Sequence, residues 1–246
     1  MQTHRSSAEK TASDIRKPLL ITFSGVDGSG KSTHIASVLN YLASAKMRTV
    51  RLAFWDDAVV GKHWREEFVH KVYKSEKGVG ALGKPVARND KNVRAWYLSL
   101  ARHGLYLVDA IHLCEVIARA RRGNPDVIIV DRYIYDELAN LPLDNQLTRI
   151  FARCMGKFVP KPDLALLLDA EPEAARNRKP EYPIEFMKSS RQAYFQLARL
   201  LGRLTTIAPL PLEAAKQVVL ANVCCLLVRK KCFAASIEPV GDLTAA

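Results

Sequence analysis

Eight consecutive residues, Gly25-Val26-Asp27-Gly28-Ser29-Gly30-Lys31-Ser32, fit the pattern G-x-x-x-x-G-K-[ST] without a mismatch. The spacing has a chemical reason. Glycines let successive backbone N–H groups turn inward around phosphate oxygens, and a helix beginning at the end of the loop adds the positive end of its dipole. Lys31 can reach the β- and γ-phosphates of a nucleoside triphosphate, and the Ser32 hydroxyl can ligate Mg²⁺. Thr33, one position further on, can add a hydroxyl to an α-phosphate. A glycine-rich turn with a chance Lys-Ser is the bland alternative. It is disfavoured by the context, an apolar strand-length run (Leu19–Phe23) before the loop and a helical apolar pattern (Ile35, Val38, Leu39, Leu42) after it.

A second pair of charges follows another apolar run. Val127-Ile128-Ile129-Val130-Asp131 puts a carboxylate at the C-terminal end of a buried strand, the edge along which parallel sheets assemble ligand sites. Asp131 is therefore a candidate for the Mg²⁺ shell with Ser32. Arg132 is a candidate for a bidentate grip on a phosphate. A water-activating GTPase would be expected to show D-x-x-G here, and the chain reads Asp131-Arg132-Tyr133-Ile134. Phosphoryl transfer is the preferred reading, and a surface Asp-Arg pair is the plain one.

These residues need a frame. Strand candidates Leu19–Phe23, Thr49–Phe54, Val127–Val130, Leu164–Leu168 and Leu204–Ile207 are apolar and separated by helical patterns that include Lys31–Leu42, Ala95–Arg121, Ser189–Leu201 and Leu212–Val228. Apolar strands alternating with helices imply a parallel sheet covered on both faces, here a three-layer α/β domain of about five strands. Residues 1–17 read as a flexible tail, 18–230 as the domain and 231–246 as a C-terminal tail. Residues 60–94 hold nine Lys/Arg against four Asp/Glu, with Gly78, Gly80, Gly83 and Pro85 breaking any long helix. They read as a partly mobile basic region beside the sheet. Glu171–Pro183, with three prolines, reads as a second mobile loop.

The 246 residues carry 48% hydrophobic and 25% charged side chains, which excludes a disordered or fibrous chain. The formal net charge of +12 points to anionic partners without choosing among nucleotides, nucleic acid and acidic membrane. Five cysteines with no C-x-x-C pair argue against a disulfide framework or structural zinc and make a reducing cytoplasm the expected compartment. Met1–Lys17 has no apolar core of the signal-peptide kind. Val218–Val228, interrupted by Asn222, is about half the length of a membrane span and reads as a buried helix.

Together the blocks resemble one family. Phe23–Thr33 is similar to the opening of the thymidylate kinases, and Val130-Asp131-Arg132-Tyr133 to their Asp-Arg-Tyr element. Pro162–Glu173 resembles the strand and turn before their lid, with Glu185-Phe186 and Tyr194 falling in the helix after it. The resemblance implies a P-loop kinase fold and Mg²⁺-ATP-dependent phosphorylation of a nucleoside monophosphate, by default dTMP to dTDP, usually by a homodimer. It implies that Gly25, Val26, Asp27, Gly28, Ser29, Gly30, Lys31, Ser32 and Thr33 hold ATP, that Ser32 and Asp131 serve the metal, and that Arg132 grips the acceptor phosphate. Asp27 would lie near the acceptor sugar or a metal-bound water. Residues 171–188 would form the lid, with Arg176, Arg178 and Lys179 as its cations. Ser29, a small loop residue, together with Arg176 and Arg178 follows the bacterial-type pattern, in which the lid supplies the arginines.

Two departures concern the acceptor half. Where the family has an Arg-Glu-Pro-Gly-Gly-Thr-like segment after the second strand, this chain reads Phe54-Trp55-Asp56-Asp57-Ala58-Val59-Val60-Gly61-Lys62. Where the family has an Asp-Arg on the helix before the third strand, it reads Leu107-Val108-Asp109-Ala110-Ile111-His112, with Arg102 two turns earlier. A same-fold kinase for another acceptor and a non-catalytic nucleotide-binding module therefore stay open as alternatives. Lid arginines beside the loop argue against the module, and a nucleic-acid partner is not expected. Trp55, Trp64, Trp96 and Tyr97 could stack on a flat acceptor or serve helix packing. Asp56-Asp57 could supply a base or metal ligand, or form an exposed turn. The histidines show no metal-ligand spacing and are assigned no role.

Overall fold

The computed structural model describes residues 17–59 and 96–230. Its elements in chain order are β1 (Leu19–Ser24), α1 (Lys31–Ser44), β2 (Thr49–Ala53), a wide π-helical turn (Phe54–Ala58), α2 (Trp96–Arg122), β3 (Val127–Asp131), α3 (Ile134–Leu138) and α4 (Gln146–Phe158). β4 (Leu164–Leu168), α5 (Pro172–Arg178), α6 (Ile184–Leu201), β5 (Thr205–Ile207) and α7 (Leu212–Arg229) complete the fold. The basic region 60–94, residues 1–16 and the tail 231–246 lie outside the described residues, as do Trp64 and the side chains of Trp96 and Tyr97.

The five strands form one parallel sheet in the order β2-β3-β1-β4-β5. β1 therefore lies at the centre, with β3 on one side and β4 on the other. Chain direction reverses its march across the sheet at this strand, so a crevice opens at its C-terminal end. Phe23 pairs with Asp131, and Ser24 with Leu167. That register brings the ends of three strands, and the loops they feed, to one edge.

The two-residue repeat of a strand sorts its side chains between two cores. Leu19, Ile21 and Phe23, with Val127, Ile129, Leu166 and Leu168, pack against Ile35, Val38 and Leu42 of α1 and Val219, Val223, Leu226 and Leu227 of α7. Leu20, Ile128, Val130, Ala165 and Leu167 face the other way, onto α2 (Ala110, Leu113, Ile117) and the helices α3 to α6. Both faces are buried, as the apolar strands imply.

Glu171–Pro183, expected to be loop, is partly helical. It contains the helix α5. The prolines delimit this helix instead of dissolving it. Pro172 occupies its first turn, where a missing N–H costs nothing, and Pro180 and Pro183 stand outside it, the latter as the cap of α6. Leu212–Arg229 is a helix packed on the sheet, and among the described residues no helix is long and apolar enough to cross a membrane.

Leu227 is fully buried between α7 and the sheet, whereas its neighbour Val228 is 65% exposed. Leu227→Ala should cost about 2–5 kcal/mol in urea unfolding, and Val228→Ala should stay within about 0.5 kcal/mol.

Candidate active site

The loop between β1 and α1 is closed by its glycines. Gly25 has φ 142°, and an added Cβ would stand 2.4 Å from the Leu168 carbonyl oxygen of β4. Gly28 has φ 79°, and its Cβ would meet the Ala175 carbonyl oxygen of α5 at 2.3 Å. The backbone of α5 thus rests directly on the loop. α1 starts after a left-handed Gly30, and no side chain caps its first turn. The N–H groups of that turn point into the loop, which is the arrangement an anion needs. Ser32 and Thr33 are exposed on the same turn, while Ser29 and Lys31 are buried. The Lys31 ammonium donates to the carbonyls of Gly25 and Val26, at 2.8 Å each.

Arg132 enters from β3. Its backbone N–H donates to the Phe23 carbonyl at 2.8 Å, tying the residue after β3 to the C-terminal end of β1. Its φ is 65°, a left-handed conformation rare for a side chain of this size. The guanidinium pairs with Asp27 of the loop and lies 3.4 Å from Asp136 Oδ1. Asp136 is almost wholly buried. Its Oδ2 accepts from Ser24 Oγ (2.7 Å) and from the Tyr133 N–H (3.0 Å), and its Oδ1 accepts from the Tyr194 hydroxyl of α6 (2.7 Å).

These charges tune one another. Burial, and then the Arg132 charge, pulls Lys31 down to about 8, against the opposing carboxylates of Asp136, Asp27 and Asp131. Burial alone would raise Asp27, but Arg132, Lys31 and Lys179 hold its carboxyl below the usual range. Desolvation likewise pushes the buried Tyr194 hydroxyl well above its ordinary value, helped by Asp136.

Asp131 ends β3 close enough to support the Lys31 charge, and its Oδ2 takes a 2.8 Å ion pair from the half-exposed Arg51 of β2. No cluster of three or more His, Cys, Asp or Glu side chains among the described residues could hold a metal by itself. Ser32 and Asp131 are hard oxygen donors at one sheet edge, and Mg²⁺ is commonly held by one or two such groups plus substrate phosphates and water. The donor set fits that ion.

α5 carries Arg176, which is half-buried, and Arg178, which is exposed and donates from Nε to the Ala174 carbonyl at 3.2 Å. Lys179 follows and pairs with Glu181 at 3.0 Å. Beside α5 lies a cavity of about 170 Å³, lined by Ser29, His34, Arg178 and the Ile207–Leu210 stretch among others. His34 is 4% exposed, and its Nδ1, like Ser29 Oγ, has no hydrogen-bond partner among the described residues. Burial, then the charges of Lys216 and Arg178, lowers the His34 pKa and favours the neutral ring.

Three participants escape a reading of the sequence alone. His34 sits in the first turn of α1 with no motif to mark it. Asp136 occupies the third position of a five-residue helix, where an acidic residue bonding back to the cap N–H is the one available signal. Arg191 of α6 forks onto Asp169 (2.7 and 2.8 Å) and Glu171 (2.8 Å twice), clamping α6 to the end of β4. Its partners are 20 and 22 residues away, so no local pattern marks it.

The rewritten segments fill specific places. Trp55 is 36% exposed and meets Phe54 edge-on at 5.9 Å. The Asp57 carboxylate accepts from the Ala53 N–H at 2.6 Å, so it closes the wide turn. His112 Nδ1 lies 2.8 Å from the Ala58 carbonyl and joins α2 to that turn. Tyr106 and Asp109 of α2 are buried, and burial together with Glu137 pushes the Tyr106 hydroxyl up while Arg102 opposes the rise.

A central parallel strand, a glycine loop, a helix start behind it and an arginine facing it from the next strand define a P-loop phosphotransferase. The chain belongs to the thymidylate kinase family, whose model matches residues 23–219. It is 30% identical over 192 residues to the thymidylate kinase of Bifidobacterium longum subsp. infantis, covering 73% of this chain and 74% of that one. To the thymidylate kinase of Dictyostelium discoideum it is 27% identical over 203 residues, or 79% of each chain. It is a kinase.

Because Gly28 combines a positive φ with an Ala175 contact no Cβ can share, Gly28→Ala must push α5 off the loop. The strain, about 1–3 kcal/mol, should appear as a lowered melting temperature together with weakened ATP binding in calorimetry.

Proposed function

We propose that this kinase transfers the γ-phosphoryl group of Mg²⁺-ATP to dTMP, giving dTDP and ADP. The observation that carries the proposal is the pairing of Arg132 with Asp27. It brings an arginine suited to an acceptor phosphate against the loop that cradles the donor. Family membership and the names of the relatives support dTMP as the acceptor.

In this reading the N–H groups from Gly25 to Thr33 hold the donor phosphates, and Lys31 exchanges its two loop carbonyls for β- and γ-phosphate oxygens. Ser32 and Asp131 would hold Mg²⁺, which supplies charge neutralisation across those phosphates. Arg132 turns one edge of its guanidinium from Asp27 to the acceptor phosphate, leaving Asp27 for the acceptor sugar. Residues 171–188 act as the lid. Arg176 and Arg178 bring positive charge to the group in transfer, while α5 shuts out water. No covalent enzyme intermediate is needed, since alignment and preorganised charge lower the barrier.

The cavity beside α5 seats the donor base. It lies beside the first turn of α1, and the His34 and Ser29 polar atoms are available to it. The protein acts in the cytoplasm, in keeping with its cysteine pattern, and the apolar side chains Leu107, Val108 and Ile111 exposed on α2 support a homodimer.

Steady-state assays against a panel of nucleoside monophosphates test the acceptor. dTMP should give the highest kcat/KM, and Lys31→Ala should lose about 10²–10³-fold in turnover. Turnover confined to another monophosphate would move the acceptor, and none with any member would overturn nucleotide phosphorylation. His34→Leu should raise the KM for ATP about three- to tenfold, the scale of one hydrogen bond, with the KM for dTMP unchanged.

A further inference from the structure

Arg132 needs more than its place after β3. A guanidinium on a flexible stem in a left-handed residue has many directions open to it, and Asp27, its loop partner, must be given up when a phosphate arrives. Asp136 is the partner that can stay. It lies four residues on, 2% exposed, and accepts from four groups, one on β1, one on α6 and two in the link between β3 and α3. These are Ser24 of β1 (2.7 Å), the Tyr133 N–H before α3 (3.0 Å), Tyr194 of α6 (2.7 Å) and Arg132 itself (3.4 Å). Ser24 and the Tyr133 N–H hold Oδ2, which leaves Oδ1 to be shared between Arg132 and Tyr194. Tyr194 is in turn 8% exposed and rides on α6, the helix that follows the lid and is clamped to β4 by Arg191.

We propose that Asp136 is a positioning residue for Arg132 and that the Tyr194–Asp136–Arg132 chain couples the grip on the acceptor phosphate to the seating of α6 behind the lid. The coupling has a direct physical basis. When α6 is seated, the Tyr194 hydroxyl neutralises part of the Oδ1 charge and fixes the carboxylate plane, so one edge of the guanidinium is held and the other is presented to the phosphate. When α6 shifts, Oδ1 loses that donor and Arg132 loses its reference point. The proposal rests on the assignment of Arg132 to the acceptor phosphate.

Tyr194→Phe removes one hydroxyl and keeps the ring. It should raise the KM for the acceptor about tenfold, the scale of one hydrogen bond to a charged group, with kcat and the KM for ATP changed less than threefold. In an Arg132→Lys background, which keeps the charge but not the fork, the same substitution should change the acceptor KM less than twofold, because the coupled pair is not additive. Equal effects in both backgrounds, or equal rises in both KM values, would overturn the proposal. The acceptor used is whichever monophosphate the wild type turns over. Hydrogen exchange needs no acceptor at all. Asp136→Asn should speed exchange several-fold around Tyr194 in α6 and leave α7 unchanged, and unaltered exchange there overturns the coupling. Failure of dTMP turnover by the wild type, with these exchange results intact, would instead count against the acceptor assignment.

Discussion

The hydrogen bond from the Arg132 N–H to the Phe23 carbonyl joins the two halves of the site. β1 delivers the phosphate loop, β3 delivers Arg132, and their parallel pairing sets both at one height along the sheet edge. A shift of one residue would turn Asp131 and Arg132 to opposite faces and would also exchange the two cores, because the side-chain repeat of a strand is two. The apolar side chains of Ile21, Phe23, Val127 and Ile129 on one face, and of Leu20, Ile128 and Val130 on the other, hold the register. Core packing therefore decides where the charges stand.

Those charges form a partly buried set in which each member is tolerable because of the others. Lys31 and Arg132 repel one another, and Asp27, Asp131 and Asp136 surround them. Buried charges are costly when unpaired, so the arrangement is held by mutual neutralisation and by the hydrogen bonds that Asp136 collects. A phosphate site gains from this. Its cations are already desolvated and oriented before a ligand arrives, so little reorganisation is left for the moment of transfer.

The same constraint places α5 and α6. α5 rests its Ala175 carbonyl against Gly28, and α6 is tied to the end of β4 through Arg191 and to the centre of the site through Tyr194. These two helices are thus fastened to the loop itself, to the end of β4 and to Asp136 of α3. Only a few of the cations behind the net charge of +12 enter this site. On the other side of the sheet, the wide turn after β2 is closed by Asp57, and α2 buries Tyr106 and Asp109.

The number and parallel type of the strands, the glycine loop, the helix behind it, and Asp131-Arg132 at a strand end are all legible in the sequence, because each depends on local spacing or on a run of apolar residues; the order of the strands across the sheet is not. The helix α5 is not legible in the same way, because three prolines within thirteen residues read as breakers until the fold shows them standing at its ends. Asp136, Arg191 and His34 are different. Asp136 takes its meaning from Ser24 and Tyr194, which are 112 and 58 residues distant, and Arg191 from carboxylates beyond the reach of its own helix. His34 is distinguished by burial beside a cavity that is also lined by the stretch after β5. Spacing along the chain can say which side chains are able to hold a phosphate. Which of them are desolvated, which are shared and which are tied to α6 depends on the dielectric and the neighbours that only the folded sheet and its helices supply.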